Sequence, residues 1–225
     1  MVWRLGFQRM VLVLAALAGS VYAAFLLFHQ SVPMEEQKPV CFPCALTEDL
    51  TVHRLTGYDG PFLEDGSMEE VVDTAALVLE NRGYRHIRKV SVCILTSSGS
   101  LVFTADHLPP QSMLLVLESQ KRSYTGEEIL GVRQEELSYS NDLLQSCLSV
   151  TEEKNGVAVT NLTENLVENA VLYYKQYDAA SQMYIGGAAR SCYLKTLEPM
   201  ETVTVFPLGF LLPYCKVAAI ELIKQ

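Results

Sequence analysis

Val90-Ser-Val-Cys-Ile-Leu-Thr-Ser-Ser-Gly-Ser-Leu-Val-Phe-Thr104 decides the fold. Val90, Val92 and Ile94 alternate with Ser91, Cys93 and Leu95, the period of two that sends successive side chains to opposite faces of a strand. Ser97 to Ser100 interrupts the pattern as a hairpin loop, and Leu101-Val-Phe-Thr104 resumes it. Similar units extend in both directions. Upstream, Leu50, Val52 and Arg54 alternate with Thr51, His53 and Leu55, and the turn-rich stretch from Gly57 to Ser67 holds two Asp-Gly pairs suited to positive φ. Glu70 to Glu80, stopped by Asn81-Arg-Gly83, reads as a strand. A helix is the competing assignment there, because Ala and Leu follow Glu69 and Glu70. Downstream, Leu108-Pro-Pro-Gln-Ser112 breaks the chain before the short strand Met113 to Leu117. Short strands with turn signals every ~8–12 residues predict a mainly β sandwich or barrel.

The second half repeats this order. Gly156-Val-Ala-Val-Thr-Asn161 stands where Ala76-Leu-Val-Leu-Glu-Asn81 stood, and Val167 to Tyr177 takes the place of Val90 to Leu95. Leu197-Glu-Pro then aligns with Leu108-Pro-Pro. The expectation is two tandem β-sandwich domains, 47–120 and 127–225, with a boundary between Gln120 and Gly131 and a helix over Glu127 to Glu136 as an alternative there. On Val78-Leu-Glu-Asn81 with Leu108-Pro-Pro, and Val157-Ala-Val-Thr-Asn161 with Leu197-Glu-Pro, the chain resembles the bacterial FxLYD-type and related Ig-like exported modules. The whole looks like a membrane-anchored protein of a Gram-positive bacterium. The resemblance implies immunoglobulin-like sandwiches with interaction roles, and it carries no catalytic residues.

Address is read from Met10 to Phe28, nineteen apolar residues that would make a helix of about 28 Å, close to the ~30 Å hydrocarbon core of a bilayer. Arg4 and Arg9 precede the run and Glu35 and Glu36 follow it, so the positive-inside bias predicts a cytoplasmic tail (1–9), a transmembrane signal anchor (10–28) and an extracytoplasmic remainder. Val21-Tyr22-Ala23 offers a signal-peptide cleavage site as the alternative. Residues 29–46, with Pro33, Pro39 and several charges, read as a stalk. The whole chain carries −9 and the part after Phe28 carries −11. That acidity disfavours nucleic acid as a partner and leaves a protein partner at the cell surface. An accessory subunit of a membrane complex, contacting through the span, is a further alternative.

No nucleophile elbow, zinc-protease or phosphate-loop motif occurs, so neither an enzymatic activity nor a cofactor is expected. Cys41-Phe-Pro-Cys44 is the sharpest local signal. A thiol oxidoreductase needs such a pair at a helix N-terminus, where the thiolate is stabilised. Here a stalk precedes it and strand-like sequence follows, so a structural or intermolecular disulfide is the first reading and an exported thiol-disulfide oxidoreductase the alternative. Cys192 and Cys215 lie on two late strands and are candidates for a mutual bridge, whereas Cys93 reads as a buried thiol. Asp59, Glu64 and Asp65 could offer oxygens to calcium, without the spacing of an EF-hand loop; no other metal site is expected. Tyr173, Tyr174, Tyr177 and Tyr184 are candidates for a binding face, against an ordinary role in cross-strand packing. The four histidines, His29, His53, His86 and His107, are scattered and suggest no shared site. Asn161-Leu-Thr163 is a glycosylation sequon, but Asn161 reads as a turn residue. Gly186-Gly187 reads as a bulge or turn.

Overall fold

The computed structural model describes residues 40–140 and 147–222. The expected tail, span and most of the stalk (1–39) lie outside them. The described chain is mainly β, and among the described residues there is no helix. The strands are β1 (Cys44–Ala45), β2 (Leu50–Pro61), β3 (Glu70–Asn81), β4 (Ile87–Thr96), β5 (Gly99–Leu108), β6 (Ser112–Leu117), β7 (Ile129–Tyr139), β8 (Leu148–Glu152), β9 (Val157–Asn161), β10 (Ala170–Asp178), β11 (Met183–Tyr193), β12 (Thr202–Val205) and β13 (Cys215–Leu222). The quoted stretch forms the β4–β5 hairpin, with Val90, Val92 and Ile94 fully buried. The strand reading of Glu70 to Glu80 holds, because β3 is paired on both sides, to β2 and to β6.

The pairing repeats. In the first half β2-β3-β6 form one group and β5-β4-β7 another; in the second half β8-β9-β12 and β11-β10-β13 follow the same order. Each pair of groups encloses its own core. Leu50, Leu77, Leu79, Leu114 and Val116 meet Ile87, Val92, Ile94 and Phe103 in the first half. Val157, Val159 and Leu148 meet Leu172, Tyr174 and Ile220 in the second. The halves are continuous with one another. β6 pairs antiparallel with β3 and parallel with β11, which joins the two halves in one seven-stranded sheet, β1-β2-β3-β6-β11-β10-β13.

Three assignments change. The helix alternative at Glu127 to Glu136 is overturned, since β7 runs through it and pairs with β4 along its length. That pairing also places residues 129–139 with the first half, past the boundary expected at 120. A bulge between Val52 and Arg54 breaks the alternation of β2, turning Arg54 outward and Leu55 into the core.

The equivalent asparagines explain why the Asn and Leu-x-Pro signals recur together. Asn81, fully buried, donates through Nδ2 to the carbonyls of Arg85 (2.9 Å) and Leu108 (3.2 Å), and its Oδ1 accepts from Gly83 N (3.0 Å). Asn161, also fully buried, donates to Asn165 O (2.7 Å), Leu197 O (3.2 Å) and Glu198 O (3.1 Å) and accepts from Thr163 N (3.0 Å). Each carboxamide thus closes its own following turn and ties it to the Leu that opens the Leu-x-Pro break. The burial and full engagement of Asn161 Nδ2 leave no amide for sequon modification in the folded chain. Substituting Asn81→Ala or Asn161→Ala strands these carbonyls and amides, and each should lower unfolding free energy by about 3 kcal/mol. Thr163→Val should cost less than about 1 kcal/mol. Urea unfolding midpoints of the three variants test the ranking.

Candidate functional site

Charged side chains converge where the two halves meet. Lys175, on β10, is fully buried along its side chain; Nζ donates to Gly186 O (3.1 Å) and Gly187 O and lies 3.3 Å from Asp106 Oδ1 on β5. Its three protons therefore have three partners. Burial pushes its pKa down, and Asp106 and Glu64 oppose that shift. Glu64, on the β2–β3 connection, reaches the same place. Its oxygens accept from Leu117 N (2.8 Å), Gly187 N (2.6 Å) and Ala188 N (3.2 Å). Burial raises its pKa against those amides and Lys175. Asp106 Oδ1 also accepts from Ala189 N (2.7 Å). A cavity of about 260 Å³ opens between the halves, lined by Glu64, Lys89, Thr104, Asp106, Gly187 and Ala188. Its two carboxylates are already engaged by backbone amides and Lys175, so they serve as a polar lock between the halves.

Gly187 is the close-approach point. A Cβ there would meet Thr104 O, Glu64 Oε2 (2.8 Å) and Val116 Cγ2 (2.8 Å). The Gly-Gly pair lies where β11 loses register against β10, as the bulge reading expects, and the neighbouring half takes the space of a side chain there.

A second polar group flanks the first. His86 Nε2 and His107 Nδ1 are 3.4 Å apart, and the His107 ring stacks on Tyr173 at 3.9 Å. Glu221, on β13, accepts from Ser140 Oγ (2.6 Å) and lies 3.4 Å from Arg88 Nε and 3.9 Å from His107 Nδ1. Among the described residues, His86 Nδ1 is buried with no hydrogen-bond partner. Burial, then the neighbouring His107 and Lys175, depress the His86 pKa to about 4. His107 is also lowered, because its burial outweighs the pull of Asp106 and Glu221. Both shifts favour the neutral ring. The histidines are distant in sequence, and only the β4–β5 pairing of Ile87 with Leu108 brings them together.

The sequence candidates fall apart by location. Asp59 Oδ1 caps Asp73 N (2.8 Å), Asp65 Oδ1 caps Ser67 N (2.8 Å) and Glu64 points into the junction, so the three acids hold no common cation. Among the described residues no His/Cys/Asp/Glu group is arranged to hold a metal. Tyr174 and Tyr184 are 3% and 8% exposed and belong to the cores, so the four tyrosines do not make one exposed face. Tyr177 packs edge-on against Tyr184, and Tyr173 faces His107. Cys192 and Cys215 are thiols. Cys192 lies opposite Leu172 on one side of β10, and Cys215 opposite Gln176 on the other. Two strand spacings and a four-residue offset along β10 separate them by more than about 10 Å, beyond the ~4.4–6.8 Å a bridge allows. Cys41 is exposed and Cys44 half-buried on β1, with strand β2 next in the chain.

An apolar loop joins β12 to β13. Phe206, Leu208, Leu211 and Tyr214 stand exposed on it, Leu208 at 90%, while Phe210 is buried edge-on against Tyr174. Phe210 N donates to Pro207 O (3.0 Å), closing a turn in which Gly209 takes φ +73°.

No family model, curated protein or solved structure matches the chain.

Gly187→Ala should force the halves apart and cost at least about 2 kcal/mol, read as a lowered urea midpoint. Acid should act through His86. Its folded pKa lies below the unfolded ~6.5, so the unfolded chain binds more protons between the two values. Stability should therefore be unaffected by this group above pH ~6.5 and fall by up to about 3 kcal/mol as pH drops toward 4. His86→Gln should flatten that slope in thermal melts across the range. Alkylation under denaturing conditions, followed by mass mapping, should find Cys192 and Cys215 modified without prior reduction.

Proposed function

We propose that the chain is an extracytoplasmic binding or assembly module, tethered to the membrane by residues 10–28 and built from two Ig-like sandwich halves. The observation that carries this reading is the repeated strand order, with both halves locked into one sheet by Lys175, Glu64 and Asp106. A body fixed in this way presents its loops and edge strands at constant spacing, which suits recognition of a partner more than a cycle of opening and closing. The resemblance to FxLYD-type modules supports the same role, and the apolar run with its flanking charges supports the tether and its orientation. The exported oxidoreductase remains the second reading because Cys41 is solvent-exposed beside Cys44. Strand β2 follows the pair, so no helix dipole assists a thiolate there.

Photo-crosslinking from Tyr84 and Tyr193, 91% and 73% exposed, in the full chain within its native membrane tests the binding role. Discrete adducts from at least one position are expected. Background labelling at both positions, together with mixed disulfides trapped by Cys44→Ser, would replace the binding module with the enzyme.

A further inference from the structure

The loop Phe206-Pro-Leu-Gly-Phe-Leu-Leu-Pro-Tyr214 is apolar where a loop is ordinarily polar, and its backbone is prepared for a dry environment. Pro207 O accepts from Phe210 N, Leu208 O from Tyr174 Oη (2.7 Å), Gly209 O from Cys215 Sγ (3.4 Å) and Leu211 O from Tyr214 N (2.9 Å). Tyr214 O accepts from Tyr177 N (2.8 Å), and Leu212 N donates to Lys154 O (3.0 Å). Pro207 and Pro213 have no amide hydrogen to satisfy. These pairings remove much of the desolvation penalty that normally keeps a loop in water.

The charges are arranged to match. No carboxylate occurs from Phe206 to Ile220 in an otherwise acidic chain. At the loop's base basic groups stand beside one carboxylate, Glu152, which accepts from Val217 N (2.6 Å). Arg190 lies 3.0 Å from where a Cβ of Gly209 would sit, Lys216 covers the Tyr177 ring at 3.9 Å, and Lys154 receives Leu212 N on its carbonyl. Exposed Phe, Leu and Tyr with cations set behind them are the pattern of a protein surface at a headgroup layer.

The tether makes that layer reachable. One register row crosses the seven-stranded sheet through Cys44, Val52, Leu79, Leu114, Tyr184 and Tyr177. Tyr177 is bonded to Tyr214 at the loop's end. Chain entry and loop are thus about five strand spacings apart, roughly 24 Å along one row. Residues 29–39, fully extended, reach at most about 38 Å. A bilayer lying along that end of the sheet can therefore meet the loop while residues 29–39 span the remaining distance.

We propose that Phe206, Leu208, Leu211 and Tyr214 form a foot that rests in the headgroup region of the bilayer to which the chain is tethered. The inference rests on the tether reading. The test uses the full chain with Trp3→Phe, which removes the one native tryptophan, and Leu208→Trp. It is reconstituted in phosphatidylcholine vesicles with and without lipids brominated on the upper acyl chain. Emission should shift to the blue and be quenched roughly twofold by the brominated lipid, as expected for a group at the headgroup–acyl boundary. A Tyr193→Trp counterpart should be neither shifted nor quenched. Flotation of the same vesicles reports the tether separately. Chains that float without quenching overturn the foot and leave the tether standing. Chains that neither float nor quench overturn both. A blue shift without quenching means that a protein or a second copy covers the loop, and it overturns the membrane contact. Because Leu208 is 90% exposed, circular dichroism matching the parent is expected and excludes misfolding as the cause of a negative result.

Discussion

A buried carboxamide that satisfies backbone groups on both sides of a turn is the interaction on which each half depends. Sandwich sheets attract one another through apolar faces, which set distance but little else. Asn81 and Asn161 add direction. Each holds the end of one sheet's strand against the connection leading to the other sheet, and each does so through carbonyls of its own turn and of the Leu-x-Pro break. With the amide in place, the turn, the Leu-x-Pro break and the entry to the next strand form one rigid corner. The apolar cores then pack against a fixed frame.

The junction between halves uses different means. Three residue pairs of parallel strand, Met183 with Met113 through Ile185 with Leu115, give it continuity but little area. Polar groups supply its specificity. Lys175 and Glu64 bind backbone atoms of the Gly186–Ala188 segment from opposite signs of charge, so that segment is held at both its carbonyls and its amides. Buried charge of this sort is weak evidence for stability and better evidence for a unique arrangement, since a shifted register would leave an ion unpaired.

Much of the fold was legible in the sequence, and the reasons are local. Alternation at Val90 to Ile94 and the Ser97 turn report side-chain direction within a single hairpin, which needs no tertiary information. The Asn and Leu-x-Pro signals were visible as a repeat, although their partnership was not, because it joins residues 27 or 36 positions apart. Where tertiary contact decides, sequence reading went astray. Good helix formers at Glu127 to Glu136 were overridden by pairing with β4, and a single bulge reversed the facing of Arg54 and Leu55. The junction was hidden for the same reason. Glu64 reads as a calcium candidate and His86 and His107 as scattered rings, while nothing in the sequence marks Lys175. Only Gly186-Gly187, two glycines within a strand, carried a signal, since an absent side chain in a strand marks a place where something else comes close.

The position of β1 has a mechanical consequence. It forms one margin of the seven-stranded sheet and is paired over only two residues, while β13 forms the opposite margin. Were tension to enter at Val40 across the strands, it would load their hydrogen bonds one row at a time, the weakest geometry in which a sheet can be pulled. β1, paired over two positions, would then give way before β2, which is paired with β3 over ten. The edge would then act as a short fuse, one whose yielding withdraws Phe42 and Leu46 from the first core and leaves the second untouched.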